Sequence, residues 1–377
     1  MNIGIDGHAL NDRIKAGIYI DTVDFIKSLY KNDQKNNYTI YLRNQTDAFG
    51  NSAANIKFKQ LFCPSSILRG KDAFLVGWWL PFSMPLELML HKQDVLYSPT
   101  PTLPYICPCR AVIKVHDIAF LLDDSFFSWT TRTAIHTMTS FAIKRADRII
   151  AISESTKRDI EKHFKVNANN VSVIPRSYNS DVYRPVGKDN IQNIKKKYNI
   201  RDNYLLYVGT LEPRKNLVRL IQAYYKVKNE GQDCNLVITG AKGWLYESIL
   251  SLTEELGLNK DIIFTGWVPE TELPILMSGA VVLVYPSLYE GFGLPILQAM
   301  ACGTPVITSN ISSMPEVVGD AGILINPYNS DEIADAIRQV LVNSGLRQSL
   351  AERSLVRAGL FSIEQETRQI IEVFNNL

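Results

Sequence analysis

The sequence predicts an α/β protein built from two Rossmann-like domains. Short apolar runs alternate with helical patterns along the whole chain, which favours parallel sheets covered by helices. Several of these runs end at Pro, Gly or Asp, as buried parallel strands often do. The chain has 377 residues, which exceeds a typical single domain and suggests two.

In the amino-terminal half, strands are predicted at residues 2–5, 38–42, 56–60, 95–97, 111–115, 148–152 and 171–174. Helical patterns cover residues 18–31, 129–146 and 154–164. Ser153 is a candidate amino-terminal cap for the last of these helices, and Ser155 competes with it.

The region 183–202 differs in composition, since it contains Pro185, Gly187 and a basic run, and it predicts a linker followed by a short helix. Beyond it the alternation resumes, with strands expected at 204–208, 235–239, 262–265, 280–285, 305–308 and 322–325. Helices are expected at 217–229, 246–256 and 331–342, and residues 345–377 indicate two more. The sequence therefore predicts a first domain over 1–183 and a second over 184–360.

Composition limits the classes of function. The chain has 40 Lys and Arg against 38 Asp and Glu, so nothing indicates a nucleic-acid partner. The apolar runs are too short to span a bilayer, and no signal peptide is expected. Neither the five cysteines nor the five histidines show ligand spacing, so no metal is expected. Reduced thiols favour a cytoplasmic location.

The segment 289–306 is the most informative in the chain. It follows a buried-strand run and opens a helix, so Glu290 is expected at the carboxyl end of a parallel strand, where ligands bind in open α/β sheets. The helix start offers unpaired N–H groups to an anion. Gly291 and Gly293 allow a ligand to approach the backbone closely.

A second segment, 209–217, follows the first strand of the second domain and carries Arg214 and Lys215 just before a helix. Arg214 can make paired charge-assisted bonds to phosphate oxygens, and Lys215 adds a point charge. Because charge grows on a departing diphosphate, the two cations would stabilise the transition state more than the ground state.

These segments resemble the signatures of family-four retaining glycosyltransferases, which use nucleotide sugars and have the GT-B fold. The resemblance covers nearly the whole chain and implies two Rossmann-like domains facing a cleft. It implies that 1–183 binds the acceptor, that 184–360 binds the nucleotide sugar, and that a helix in 361–377 packs back on the first domain.

The resemblance also implies residue roles in the second domain. Glu290 would lie near the donor hexose, and the backbone of Phe292, Gly293 and Leu294 would approach the sugar and phosphate. The family's second Glu is replaced by Gln298. Gln offers one carbonyl acceptor and two amide donors, so charge assistance to the ribose hydroxyls is lost. Weaker donor binding is expected, and impaired activity or an altered nucleotide choice stays open.

Three further residues are expected in the donor site. Gly209 and Thr210 open the loop that leads to the basic pair. The backbone around Val268 would border the nucleotide base, as it does in similar enzymes. Arg176 stands where similar enzymes have Asn, and it is either an acceptor or phosphate contact or a surface charge of the linker.

In the first domain, His116 follows a predicted strand and would contact the donor, with Asp117 orienting it, capping the next segment or meeting the acceptor. Gly17 belongs to a loop that meets the phosphates in the family, but here the glycine signal is weak. Asp6 and Gly7 lie at the same strand end, and their roles are left open.

The segment 74–82 is rich in apolar and aromatic residues and has Arg69 and Lys71 nearby. A core helix is the favoured interpretation, and a membrane contact is the alternative. The second interpretation would place the protein peripherally on the inner face of the cell membrane, where lipid-linked acceptors of this family lie.

The predicted function is transfer of a hexose from a nucleotide diphosphate sugar to a saccharide or lipid-linked saccharide in surface-polysaccharide synthesis. Mannose from GDP-mannose is favoured. A nucleotide-sugar 2-epimerase, a sugar-phosphate synthase and a non-catalytic GT-B subunit remain alternatives. A dehydrogenase is disfavoured because no G-x-G-x-x-G fingerprint follows the first strand.

Overall fold

The computed structural model describes residues 1–11, 17–46, 49, 54–63, 75–122 and 129–377, with the backbone alone at 75–77 and 122. The chain forms two compact units: unit 1 contains Met1–Pro175 and Ile363–Leu377, and unit 2 contains Arg176–Ser362. The sequence placed the division at 183/184. Residues 176–183 group instead with unit 2, and Tyr183 at the end of this stretch is buried.

Unit 1 contains a parallel sheet of seven strands in the order β3-β2-β1-β4-β5-β6-β7. The strands are β1 (Asn2–Asp6), β2 (Asn37–Leu42), β3 (Ile56–Gln60), β4 (Val95–Ser98), β5 (Arg110–Val115), β6 (Arg148–Ala151) and β7 (Val171–Val173). Strands β2 and β3 extend the sheet on one side of β1, and strands β4 to β7 extend it on the other side. The switch point of this sheet therefore lies between β1 and β4.

The helices of the first 175 residues are α1 (Ile18–Asn32), α2 (Met84–Leu90), α3 (Ala119–Leu122), α4 (Trp129–Arg145) and α5 (Glu154–Phe164). A 3₁₀ turn follows β1 at His8–Asn11, and a π-helical segment covers Leu75–Ser83. Ser153 is the cap of α5, since its Oγ accepts a hydrogen bond of 3.0 Å from the Thr156 N–H. The cap prediction for Ser153 is thus confirmed.

Unit 2 contains a parallel sheet of six strands in the order β10-β9-β8-β11-β12-β13. The strands are β8 (Tyr204–Val208), β9 (Asn235–Thr239), β10 (Ile262–Gly266), β11 (Val282–Tyr285), β12 (Val306–Ser309) and β13 (Ile323–Ile325). Here the switch point lies between β8 and β11.

The helices of unit 2 are α6 (Lys188–Tyr198), α7 (Leu217–Asn229), α8 (Glu247–Glu255), α9 (Leu273–Gly279), α10 (Leu294–Ala301), α11 (Met314–Val318), α12 (Ser330–Val342) and α13 (Ser344–Ala358). The central strands β8, β9, β11 and β12 are buried throughout. Their continuous apolar character explains why the sequence predicts them so clearly.

The last helix, α14 (Ile363–Asn375), belongs to unit 1 and packs along α1. Its Phe374 is fully buried, with its ring centroid 5.4 Å from that of Tyr97 on β4. Its Glu366 accepts a 2.6 Å bond from Lys114, a fully buried lysine on β5 that also pairs with Asp21 of α1 at 2.9 Å. A buried ion cluster therefore ties α14 to the sheet and to α1.

The segment 74–82 is only partly the core helix that was favoured. Trp79 and Leu80 are buried, whereas Trp78 is 36% and Phe82 is 52% exposed. Phe74, Arg69 and Lys71 lie outside the described residues. Across the part of the chain that the structure describes, none of the helices combines the length and the hydropathy needed to cross a bilayer.

Candidate active site

The switch point of the unit 2 sheet brings together two segments that are far apart in the sequence. Arg214 and Lys215 lie in a 3₁₀ turn, Pro213–Lys215, which follows β8. Glu290 follows β11, the strand that pairs with β8. Because both strands are parallel, their carboxyl ends meet at the same edge of the sheet, and so do these three side chains.

Glu290 is the centre of a dense polar cluster. Its Oε1 lies 2.6 Å from Lys215 Nζ, and its Oε2 lies 2.9 Å from Arg214 Nη1. The Tyr285 hydroxyl donates to the same Oε1 at 2.9 Å and accepts from Lys215 Nζ at 3.1 Å. Each basic residue therefore binds a different oxygen of one carboxylate.

Arg214 is oriented by several further groups. Its Nη2 and Nε donate to Glu212 Oε1 at 2.8 and 3.1 Å, and its Nη1 also donates to the Tyr289 carbonyl at 2.7 Å. Its own carbonyl accepts from the Leu288 N–H at 2.8 Å. The loops after β8 and β11 are therefore joined through backbone as well as side chain.

The electrostatic environment keeps Glu290 ionised. Burial raises the pKa of this carboxyl, but the charges of Lys215 and Arg214 outweigh burial and lower it to about 2. At neutral pH Glu290 is thus a hydrogen-bond acceptor and cannot act as an acid. Burial and the nearby Glu290 charge hold the pKa of the Tyr285 hydroxyl well above its usual value, so this group remains a donor.

The glycine-containing loop has a fixed shape. Ser312 Oγ donates to the Glu290 carbonyl at 2.6 Å, and Ser313 Oγ donates to the same carbonyl at 2.8 Å. Gly293 stands at the amino cap of α10 with φ of 95°, a conformation that favours glycine. Residues 291–293 are buried, and the expected approach of a ligand to the start of α10 stays a prediction.

Comparison with known proteins decides the family. Residues 34–182 match the family described as Glycosyltransferase Family 4, and residues 190–356 match Glycosyl transferases group 1. Over 289 residues the chain is 34% identical to O-antigen chain mannosyltransferase B of Escherichia coli, covering 76% of this chain and 75% of that protein. The chain belongs to the family-four glycosyltransferases. The predicted family is therefore confirmed, and the protein is a glycosyltransferase.

Another relative is much longer than this glycosyltransferase. The chain is 31% identical over 275 residues to the serotype-specific mannosyltransferase WbdA of Escherichia coli, and the match covers 72% of the chain. It covers 34% of WbdA, so the match spans about a third of that relative.

Among solved structures, sucrose-phosphate synthase from Thermosynechococcus elongatus matches with a TM-score of 0.77, covering 100% of this chain and 98% of that one. The sequence identity is 18%, so the likeness speaks for the fold alone. It confirms the predicted GT-B fold.

Several predicted donor-site residues of the glycosyltransferase lie along the same sheet edge. Gly209 directly follows β8, and its N–H donates to the Thr239 carbonyl at 2.9 Å. Thr210 comes next and is exposed. Val268 follows β10 and is buried.

The remaining predicted donor-site residues are on or next to α10. Phe292 is buried against Phe361, with ring centroids 5.8 Å apart. Leu294 is the first residue of α10 and is half-buried. Gln298 lies inside the helix with 8% of its surface exposed.

The candidate residues of unit 1 are placed at the sheet edge of that unit. His116 follows β5, and its Nε2 donates to the Pro99 carbonyl at 2.9 Å. Asp117 Oδ1 accepts from the N–H of Ala119, the first residue of α3, at 3.0 Å, which agrees with the capping role among the three that were left open. Gly17 caps α1 with φ of 51°. The neighbouring Ala16 lies outside the described residues.

Sequence reasoning missed four residues that build the cluster: Glu212, Tyr285, Ser312 and Ser313. Glu212 carried a signal, because it stands two residues before Arg214 in the same loop. Tyr285 was hidden at the end of an apolar strand. The two serines lie beyond β12 and meet Glu290 only through tertiary structure.

Proposed function

We propose that this glycosyltransferase moves mannose from GDP-mannose to a saccharide or lipid-linked saccharide acceptor, with retention of the anomeric configuration and without a metal ion. The transfer would serve the synthesis of a cell-surface polysaccharide. The observation that carries the proposal is the meeting of Arg214, Lys215 and Glu290 at the switch point of the unit 2 sheet. Two relatives named as mannosyltransferases support the choice of sugar.

The basic pair would bind the diphosphate of the donor. Arg214 presents a planar fork and Lys215 a point charge, and Glu290 and Glu212 already hold both groups in place. As the bond to the sugar breaks, negative charge grows on the departing diphosphate. Preorganised cations stabilise that charge without further reorganisation. In other transferases a metal ion has this charge-stabilising role.

Glu290 would act on the sugar side of the same bond. Its pKa of about 2 leaves it fully ionised, so it can accept bonds from sugar hydroxyls and offset positive charge that develops on the sugar ring. An oxygen of the departing diphosphate, rather than Glu290, would take the proton from the acceptor hydroxyl.

The test is turnover of a panel of GDP-, UDP-, TDP- and ADP-sugars, with the anomeric configuration of the product read by NMR. GDP-mannose should be hydrolysed slowly by the wild-type chain, and Glu290→Ala should lose at least a hundredfold in rate. An α-linked product would support retention. Preference for another donor would overturn the choice of GDP-mannose.

The same assay separates the alternatives. An epimerase would release a 2-epimeric sugar, and a sugar-phosphate synthase would require a sugar phosphate as acceptor. A non-catalytic subunit would turn over no donor, and Glu290→Ala would then change nothing. The structural likeness to a sucrose-phosphate synthase does not favour the synthase, since at 18% identity it speaks for the fold alone.

We also propose peripheral contact with a membrane through α2 and the segment before it. Phe82, Leu86 and Leu90 are 52, 57 and 67% exposed, which is unusual for large apolar side chains so close in sequence. Sedimentation with vesicles that contain anionic lipid should recover the wild-type chain. Phe82→Ser with Leu86→Ser should weaken binding severalfold, and equal recovery of both proteins would contradict the proposal.

A further inference from the structure

The switch point of the unit 1 sheet is also occupied by polar residues. Asp6 ends β1 and Ser98 ends β4, and the preceding residues, Ile5 and Tyr97, are paired in register. Asp6 and Ser98 therefore lie side by side at the carboxyl edge. Ligands of open α/β sheets bind at this position, and in unit 2 the corresponding position holds the Glu290 cluster.

Asp6 and His8 form a buried pair at this edge. His8 Nδ1 lies 3.0 Å from Asp6 Oδ2, although its N–H direction is not well aligned for a regular hydrogen bond. Asp6 Oδ1 accepts from the Trp79 indole N–H at 3.0 Å and from the His8 backbone N–H at 3.1 Å. Burial raises the pKa of Asp6, but the contacts with His8 outweigh burial and lower it, so the carboxylate is charged.

The pair leaves one nitrogen of His8 available. Asp6 Oδ2 faces Nδ1 at 3.0 Å, so Nε2 is the ring nitrogen on the far side of the pair. Among the described residues, none bonds to His8 Nε2. His116 differs, because its Nε2 already donates to the Pro99 carbonyl.

The backbone of His8 is held in place at the start of a short turn. His8 begins a 3₁₀ turn, and Arg43 Nη2 donates to its carbonyl at 3.0 Å. His8 is 5% exposed and Nδ1 is fully buried, so a ligand would meet only the edge of the residue. A buried and oriented imidazole of this kind is suited to one specific contact rather than to general charge attraction.

A series of three hydroxyl groups begins at the end of β4 and continues into the loop that follows. Ser98 Oγ lies 3.2 Å from Thr100 Oγ1, which lies 2.8 Å from Thr102 Oγ1. Such hydroxyls both donate and accept, as the hydroxyls of a sugar do. Ser98 and Thr100 are buried and Thr102 is half-buried, so Thr102 is the hydroxyl of this series that a polyhydroxylated ligand would meet.

We propose that His8, held by Asp6, binds a hydroxyl group of the acceptor saccharide at the switch point of the unit 1 sheet. The inference rests on the proposed function, in that it takes the acceptor to be a saccharide. His8 makes the bond through Nε2, Asp6 is a positioning residue, and Trp79 fixes Asp6.

The kinetic test compares transfer with hydrolysis of the donor, using octyl α-D-mannopyranoside as the acceptor probe. In His8→Ala the ratio of transfer to hydrolysis should fall about tenfold, the effect of one neutral hydrogen bond. His8→Gln should recover part of the ratio, since its amide oxygen reaches a similar place. His163→Ala, on the exposed face of α5, is the matched control and should keep the ratio.

Asp6→Asn tests the positioning role. The amide oxygen can still accept from Trp79, but an amide N–H then faces His8 Nδ1 and favours the tautomer with the proton on Nε2. The ratio of transfer to hydrolysis should again fall about tenfold. Nitrogen NMR of labelled histidines should show the change of tautomer at His8, identified by its absence in His8→Gln. A fall in the ratio without a change of tautomer would contradict the positioning role.

Binding is measured separately from turnover. Methyl α-D-mannopyranoside should move the His8 Nε2 signal of the wild-type chain, and an unmoved signal at concentrations that saturate transfer would overturn the inference. A ratio within twofold of wild type in His8→Ala would overturn it too. If the wild-type chain transfers to no mannoside, the proposed acceptor class fails. The His8 Nε2 signal is then measured with a panel of methyl glycosides. If none of them moves this signal, the inference about His8 is overturned as well.

Discussion

Glu290 shows how a buried carboxylate can remain charged in this glycosyltransferase. Two basic neighbours at 2.6 and 2.9 Å offset the cost of burial. Removal of one member of such a buried ion cluster lowers the stability of the protein, because the charges that remain are left without compensation. Under the proposed function, the same arrangement would hold the two cations in position for the donor diphosphate.

The pKa of Glu290 predicts how stability depends on pH. Its folded pKa of about 2 lies below its ordinary value of 4.5, so its contribution is complete above pH 4.5 and is lost as pH falls towards 2. The shift corresponds to about 3 kcal/mol of unfolding free energy. Urea unfolding of wild type and Glu290→Gln should differ most near pH 6, and the difference should shrink towards pH 2. A difference that stays constant with pH would contradict the ionised state of Glu290.

Gln298 stands at the position where the family resemblance implies a second Glu. If its amide meets the ribose hydroxyls, Gln298→Glu should tighten binding of GDP about fivefold, because a charged acceptor replaces a neutral one. Calorimetric titration measures the change. Weaker binding would show that the site has adapted to the amide.

At the scale of single elements, the start of α10 depends on a glycine. A Cβ at residue 293 would lie 2.9 Å from Ile296 Cδ1, and φ of 95° is unfavourable for any side chain. Gly293→Ala should lower the unfolding free energy by about 1–2 kcal/mol. Gly345→Ala in the first turn of α13, where a Cβ makes only ordinary contacts, is the control and should cause no loss. Equal stability of the two variants would contradict the strain at Gly293.

The attachment of α14 depends on Lys114. Replacement by Met removes the cation that pairs with Asp21 and Glu366, so unfolding free energy should fall by about 3–5 kcal/mol. Limited proteolysis should then cut more readily next to α14. Lys31→Met at the exposed end of α1 should have little effect on either measurement. An intact α14 in Lys114→Met would show that apolar packing suffices.

Elements were predictable where the local pattern and the tertiary environment agree. Buried strands such as β8 and β11 are continuous apolar runs, and Ser153 marks the start of α5 as a cap should. The helices α9 and α11 were missed, since seven and five residues are too few for a helical period to be recognised.

At the scale of the whole molecule, the two sheets have the same construction. Each is parallel, and each places its polar residues at the switch point, β1/β4 in unit 1 and β8/β11 in unit 2. In unit 2 the residues are strongly charged, which suits a diphosphate. In unit 1 Asp6, His8 and three hydroxyls suit a neutral sugar.

The sequence predicted which residues gather at the unit 2 switch point but not how they pair. Arg214, Lys215 and Glu290 each stand just after a recognisable strand, so their position followed from the rule for parallel sheets. That both cations bind one carboxylate depends on strand order, because β8 and β11 are neighbours although two strands separate them in sequence. Strand order is a tertiary property that no local pattern contains.

A crystal structure of the glycosyltransferase with GDP-mannose bound tests the central claim most directly. We expect the diphosphate oxygens within hydrogen-bonding distance of Arg214 and Lys215, and a hydroxyl of the sugar bonded to Glu290. A nucleotide sugar bound elsewhere, with the contacts of both cations to Glu290 unchanged, would contradict the assignment of this cluster as the donor site.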